Sequence, residues 1–154
     1  MRTREEAIRH LLDRHGTGAI YVASTGYVAR AVHELAAPDH HVFYMQGSMG
    51  LAPAIGLGMA LHTERPVVVI NGDGALLMAL GSTHTLRDHA PDNLFHYVLD
   101  NGCHESVGGQ PCAPLEPGYP GVTEILKVQR GSRPPRVQLE PAANSRLVRD
   151  VLSN

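Results

Sequence analysis

The sequence predicts an α/β protein built on a doubly wound, mostly parallel sheet with helices on both faces, and three observations carry that reading. Two apolar runs, residues 66–70 and 94–99, stop abruptly at Asn71-Gly72-Asp73-Gly74 and at Asp100-Asn101-Gly102. Short β-branched or aliphatic runs are typical of strands buried on both faces, and the polar residues fall at their carboxyl ends, where open α/β sheets bind ligands. Around them, strand-like and helix-like segments alternate, the pattern of βα units and a parallel sheet. Finally, 154 residues suit one domain, taken as residues 1–154, able to bury roughly two-thirds of its unfolded surface.

Residues 3–14 set Ala7, Ile8, Leu11 and Leu12 at helical spacing behind Thr3, with Glu6 completing a capping box. Gly16 and Gly18 end that helix, residues 19–23 read as a strand, and Ser24-Thr25-Gly26 turn into a helix over about 27–35. A turn that opens a helix at a strand's carboxyl end offers N–H groups and hydroxyls to an anion. A strand is expected over 41–44, followed by Met45-Gln46-Gly47-Ser48-Met49-Gly50 and a helix over 51–62, whose small residues Ala52, Ala54, Gly56, Gly58 and Ala60 allow a neighbour to approach closely. After the strand over 66–70, helical material runs from Ala75 to about His89, with Gly81 and Ser82 as a break. Pro91-Asp92-Asn93 turn the chain into the strand over 94–99. Residues 101–120, rich in Gly and Pro, form a loop of the length that lids and binding loops have. The last expectations are a helix over 123–129, a short strand over 136–139 and a closing helix over 144–152.

Composition narrows the function classes. Thirteen basic against fifteen acidic residues give a formal charge of −2, and no basic stripe with interleaved aromatics occurs, so nucleic acid is not an expected partner. Cys103 and Cys112 form neither a CxxC pair nor a framework, which suits free thiols in a reducing cytoplasm and argues against zinc. The charged start lacks a signal-type apolar region, and no apolar stretch approaches the ~18 residues of a membrane span, so a soluble, cytoplasmic protein without membrane contact is expected.

The glycines do not make a nucleotide fingerprint. Gly56-Leu57-Gly58 and Gly72-Asp73-Gly74 lack the third glycine of GxGxxG, and no P-loop GK[ST] occurs. Gln46-Gly47-Ser48-Met49-Gly50 is not a GxSxG elbow, because Gln46 stands where the first glycine belongs. What remains is Gly72-Asp73-Gly74, then residues 75–99, then Asp100-Asn101. Either turn alone is ordinary, since Gly, Asp and Asn dominate turns. On adjacent parallel strands, however, they bring the Asp73 carboxylate and the Asn101 amide oxygen to one sheet edge. Such hard oxygen donors suit Mg²⁺, which completes its octahedral shell with substrate phosphates.

Gly72-Asp73-Gly74 with Asp100-Asn101 resembles the thiamine diphosphate motif, which opens with GDG and closes with two Asn; Asp100 replaces the first Asn. The wider run from Asp100 to Gln110, with Gly47-Ser48-Met49-Gly50, is similar to the sulfopyruvate and phosphonopyruvate decarboxylases. The resemblance covers roughly residues 19–112 and implies the thiamine diphosphate-binding fold, with the chain as its diphosphate-binding domain. It implies that Asp73, Asn101 and the Cys103 carbonyl ligate Mg²⁺, and that Thr25, Gly26, Gly72, Gly74 and Ala75 hold the diphosphate. Gly47, with Ser48 beside it, would accept the aminopyrimidine N–H, and Met49 would prop the cofactor in its bent shape. A flexible, polarizable Met suits that wedge.

His104, Glu105 and Ser106 follow the metal loop and are candidates to face substrate. The family commonly has an aromatic at position 104 and Thr at 107, so His104 and Val107 are departures that leave the choice between phosphonate and sulfonate open. Family members also need a Glu from a separate pyrimidine-binding domain. The resemblance therefore implies a split enzyme, a hetero-oligomer whose pyrimidine-binding (α) subunit supplies that Glu, acting on a small anionic 2-keto acid. The cofactor's ylid supplies the electron sink for such a decarboxylation. The alternatives are half of another thiamine diphosphate enzyme, of 2-oxoacid oxidoreductase or transketolase type, and a non-catalytic cofactor-binding module; a redox version would need an iron–sulfur partner, as this chain has no cluster-spaced cysteines.

Overall fold

A computed structural model of the chain describes residues 1–153. After a two-residue strand β1 (Arg2–Thr3), the elements run α1 (Arg4–His15), β2 (Ile20–Ala23), α2 (Tyr27–Leu35), β3 (His41–Tyr44), α3 (Ala52–Ala60), β4 (Val67–Gly72), α4 (Asp73–Met78), α5 (Ser82–His89) and β5 (Leu94–Asp100). A small hairpin, β6 (Cys103–His104) and β7 (Gln110–Pro111), then encloses a 3₁₀ turn at Glu105–Val107, and β8 (Glu124–Gln129) and α6 (Pro141–Leu152) finish the fold.

The six main strands lie in the order β1-β8-β5-β4-β2-β3, every neighbouring pair parallel. The chain starts at one edge with β1, crosses to β2, turns outward to the other edge at β3, and returns through β4 and β5 to β8, which pairs with β1. Tyr21, Val68, Ile70, Tyr97, Leu99, Leu126 and Val128 turn one face of the sheet towards Ile8, Leu11 and Leu12 of α1 and Val32 of α2. Ile20, Val22, Val67 and Val69 turn the other face towards Ala52, Ala60 and Val148 on α3 and α6. The small residues of α3 serve this packing at Gly56, where a Cβ would come within 2.3 Å of Val69 Cγ2; at Gly58 the same atom would meet nothing within 4 Å.

Local chemistry sets the element ends. Thr3 accepts the Glu6 N–H and Glu6 reaches back to the Thr3 N–H, so the expected capping box forms. A break separates α4 from α5, but it runs over residues 79–81, with Ser82 already opening α5. The edge strand β3 is closed by a side chain: buried Asn144 accepts the Tyr44 N–H at 3.0 Å and donates to the Tyr44 carbonyl at 2.7 Å, standing where another strand's backbone would stand.

Two expectations are overturned. Glu124–Gln129 form a strand, not a helix, because buried Leu126 and Val128 alternate with exposed Lys127 and Gln129 and the backbone pairs with both β5 and β1. Among the described residues, 136–139 join no ladder; Pro134 and Pro135 lack N–H donors just upstream, and Val137 and Leu139 pack on the core from an irregular segment. The closing helix begins three residues early, at Pro141, whose fixed φ suits a first helical turn. Among the described residues no helix is long and apolar enough to cross a membrane.

Candidate functional site

The site is built where β4 and β5 end. Their register sets Gly72 opposite Leu99, so Asp73 and Asp100-Asn101 leave the sheet side by side. The two turns are then tied together by one backbone group: Gly102 N–H donates to Asp73 Oδ2 at 2.8 Å and to Asp100 Oδ1 at 3.1 Å. Asp73 Oδ1 also accepts the Gly74 N–H at 2.8 Å. Lys127, one strand over and in register with Asp100, makes an ion pair with it. Asp73 is buried, and among the described residues no cationic side chain reaches it. Desolvation first, and then the charge of Asp100, push its carboxyl above the ordinary range, although the two backbone N–H groups pull the other way.

Asn101 turns its amide along the loop. Its Oδ1 accepts the Cys103 N–H at 3.0 Å, with the Cys103 thiol 3.5 Å away, and its Nδ2 donates to Glu105 Oε2 at 3.0 Å. Both thiols are buried and free, and burial raises both above the usual cysteine range, which leaves them poor nucleophiles.

Above these turns lies a cleft lined by Ser24, Thr25, Met49, Gly72, Asp73, Gly74, Ala75, Asn101, Cys103, His104, Glu105 and Ser106. A second cleft, holding Gly26, Gly47 and Ser48, meets the first across Thr25, Met49 and Ser106. Thr25, Gly26, Gly47, Ser48, Met49, Gly72, Asp73, Gly74, Ala75, Asn101, Cys103, His104, Glu105 and Ser106 thus each line one of two adjoining clefts, whereas Asp100 lines neither. Two glycines are needed for this closeness. A Cβ on Gly74 would lie 2.5 Å from the His104 ring and 3.3 Å from Met49 Cε. On Gly26, with φ at +90°, it would lie 2.8 Å from Ser106 Oγ. Ser48 is held at φ 52°, a left-handed conformation that a non-glycine residue adopts only when its surroundings enforce it. Ser24, at the first cleft, buries its Oγ without a hydrogen-bond partner among the described residues.

The sequence reading missed Arg4, Tyr27 and Lys127. Arg4 and Tyr27 line the first cleft, and the Arg4 guanidinium stands 5.4 Å from the Tyr27 ring centroid. Arg4 sits inside the capping signal and reads as a solvated helix residue, whereas it is 3% exposed. The alternating Leu126-Lys127-Val128 run is the signal that would have placed Lys127 on a strand beside Asp100.

A parallel sheet whose strand ends gather a GDG turn, an Asn-bearing loop and two glycine-cleared clefts defines a phosphate-binding α/β domain of the cofactor-dependent kind. The chain belongs to the family of the thiamine pyrophosphate enzyme C-terminal TPP-binding domain, whose model matches residues 22–136. It is 52% identical over 108 residues to the phosphonopyruvate decarboxylase of Streptomyces hygroscopicus, covering 70% of this chain and 27% of that protein. It is also 43% identical over 91 residues to the sulfopyruvate decarboxylase subunit beta of Methanothermobacter thermautotrophicus, covering 59% and 49%. The corresponding subunit of Methanocaldococcus jannaschii is 38% identical over 107 residues, covering 70% and 56%. The matched region spans about a quarter to a little over half of these relatives' own lengths.

Proposed function

We propose that this chain is the diphosphate-binding half of a thiamine diphosphate- and Mg²⁺-dependent decarboxylase that converts 3-phosphonopyruvate or 3-sulfopyruvate to the corresponding acetaldehyde and CO₂. The observation that carries the reading is the meeting of Asp73, Asn101 and the Gly74–His104 contact at one sheet edge, in a chain that belongs to a TPP-binding family. The names of the relatives supply the substrate class.

The donor set fits Mg²⁺. It comprises one buried carboxylate, Asp73, an amide oxygen, Asn101, and the Cys103 carbonyl, all hard oxygen donors that leave positions for phosphate and water. Among the described residues no three His, Cys, Asp or Glu side chains gather as they would around zinc. When bound, thiamine diphosphate supplies the electron sink that a 2-keto acid needs to lose CO₂. The chain's own groups would hold and orient it. Thr25, Gly26, Gly72, Gly74 and Ala75 line the phosphate end, with Ser24 Oγ a further donor, while Gly47, Ser48 and Met49 form the wall for the rings. Ser106 lines both clefts, and His104 lines the first. The substrate's second anion would find Arg30 and Arg136 on the same wall, neither of them paired with a carboxylate among the described residues.

A pyrimidine-binding partner subunit would supply the activating Glu and complete a hetero-oligomer. Two relatives are named as beta subunits. Exposed Val107 lines the second cleft, and Leu51, Met78 and Leu80 are exposed too, Leu51 following Gly50, which sits against Ala79. On this reading residues 1–154 form one diphosphate-binding domain, in the cytoplasm, where its two thiols stay reduced. The test is a substrate panel assayed with the co-expressed partner, Mg²⁺ and thiamine diphosphate. CO₂ release from 3-phosphonopyruvate or 3-sulfopyruvate, well above that from pyruvate, is expected. Full activity from the isolated chain, or none on any 2-keto acid with the partner present, would overturn the proposal.

A further inference from the structure

The buried guanidinium of Arg4 reaches the metal loop through a single carboxylate. Arg4 Nη1 donates to Glu105 Oε2 at 2.9 Å, and Nη2 donates to Glu5 Oε1 and to the Ser132 carbonyl, each at 2.6 Å. The same Glu105 Oε2 accepts Asn101 Nδ2 at 3.0 Å, and Glu105 Oε1 accepts the Gly131 N–H at 3.0 Å. Glu105 therefore holds three donors from three parts of the chain: the start of α1, the metal loop and the segment after β8.

Two consequences follow. A carboxyl so engaged has its oxygens taken up by protein donors. Moreover, an Asn amide rotated by half a turn exchanges its oxygen and its NH₂. Glu105 Oε2 accepts from Asn101, so it selects the orientation with Nδ2 towards itself and Oδ1 on the opposite side, where Oδ1 meets the Cys103 N–H. Arg4 holds Glu105 in place.

We propose that the Arg4–Glu105 pair is the positioning device of the metal loop: it fixes which edge of the Asn101 amide faces the cation. The proposal rests on reading Asn101 as a Mg²⁺ ligand. Groups that orient metal ligands from behind typically carry about 10- to 100-fold in metal affinity.

The experiment uses the full chain with its co-expressed partner as Arg4→Met, Arg4→Lys and Glu105→Gln variants, with two readouts. Amide hydrogen exchange over residues 101–106, without metal or cofactor, reads the order of the loop. Calorimetric titration with Mg²⁺ at saturating thiamine diphosphate reads the ligand. Arg4→Met is expected to speed exchange and raise the Mg²⁺ Kd about 10-fold or more, and Arg4→Lys, which restores the charge, to recover part of both. Glu105→Gln, which keeps the volume but admits the flipped Asn101 amide, is expected to weaken Mg²⁺ to a similar degree and supplies the same readouts if Arg4→Met does not fold. Unchanged exchange in a folded Arg4→Met protein overturns the proposal. So does faster exchange with Mg²⁺ affinity within about twofold of the parent, which would make the pair a structural tie and nothing more. A parent complex that binds no Mg²⁺ overturns the metal assignment itself, a failure seen before any substitution is made.

Discussion

Replacing Asp73 by Asn separates a ligand held ready for a cation from a carboxylate that merely caps a turn. Because Asp73 and Asp100 both accept the Gly102 N–H, at 2.8 and 3.1 Å, their oxygens lie within about 6 Å of each other. At an effective dielectric of about 20, two unit charges at that distance repel by roughly 3 kcal/mol, and Lys127 on Asp100 offsets part of it. Asn keeps one acceptor oxygen where Asp has two, so one of the bonds to Gly74 and Gly102 is lost, at about 1–2 kcal/mol. These effects nearly cancel. In EDTA at pH 7, urea unfolding of Asp73→Asn followed by circular dichroism is therefore expected to fall within about 1 kcal/mol of the parent. With the Mg²⁺–thiamine diphosphate complex, taken as one ligand, at about 100 times its dissociation constant, the parent gains about 2.7 kcal/mol and the variant gains nothing. The raised carboxyl adds a sign. A carboxylic acid whose folded pKa lies above its unfolded value contributes stability that is present at low pH and lost as pH rises through the folded pKa. The parent should thus compare better with the variant near pH 4 than at pH 7. A loss of 3 kcal/mol or more in EDTA, or equal stabilisation of both proteins by Mg²⁺ and cofactor, would refute the reasoning.

Three further outcomes are expected. Asn144→Ala removes both partners of the buried Tyr44 backbone, each such group costing about 1–3 kcal/mol when left unpaired, so chemical denaturation should show a loss of about 2–4 kcal/mol; a loss below 1 kcal/mol would mean that water replaces the side chain at the edge. His96, 1% exposed and 3.3 Å from Asn71, has its pKa lowered by desolvation to about 4. Its neutral form is favoured on folding, so it contributes stability that is complete above pH 6.5 and falls by about 3 kcal/mol as pH drops towards 4. His96→Gln should flatten that limb of the stability–pH curve, and an unchanged limb would show that other groups set it. Gly74→Ala drives a methyl into the His104 ring, 2.5 Å from the new Cβ, so thiamine diphosphate binding measured by calorimetry should weaken about tenfold or more; undiminished affinity would show that the ring swings aside freely.

The parts of this fold legible in the sequence are those whose signal is local. Residues 67–72 and 94–100 announce themselves as buried strands because both faces are apolar, and Thr3 with Glu6 announces a helix start because a capping box closes within three residues. Glu124–Gln129 misleads because Ile125, Leu126 and Val128 satisfy a helical spacing as well as an alternating one. The choice between them is made by β5 and β1, strands that a local window does not contain. The site divides in the same way. Asp73 and Asn101 stand in turns that can be read directly, whereas Arg4 meets Glu105 across 101 positions and Lys127 meets Asp100 across 27. Only the fold brings those partners together.

Those long-range pairs decide what the site can bind. The turns at the carboxyl edge of the sheet carry three carboxylates, Asp73, Asp100 and Glu105, of which Asp73 and Asp100 share the Gly102 N–H, and uncompensated charge is costly where such groups are buried. The chain answers two of them itself: Lys127 on β8 neutralises Asp100, and Arg4 at the start of α1 neutralises Glu105. Among the described residues, Asp73 receives dipoles and no cation, from the N–H groups of Gly74 and Gly102. Dipoles orient a carboxylate without cancelling its charge, so that edge retains one aimed negative group beside a glycine-cleared cleft. On the proposed reading, a divalent cation would be held there with the diphosphate, and a lysine or arginine paired with Asp73 would take its place. The ion pairs missed in the sequence thus bear on that proposal: by neutralising Asp100 and Glu105, they leave Asp73 as the carboxylate that would be available to a metal.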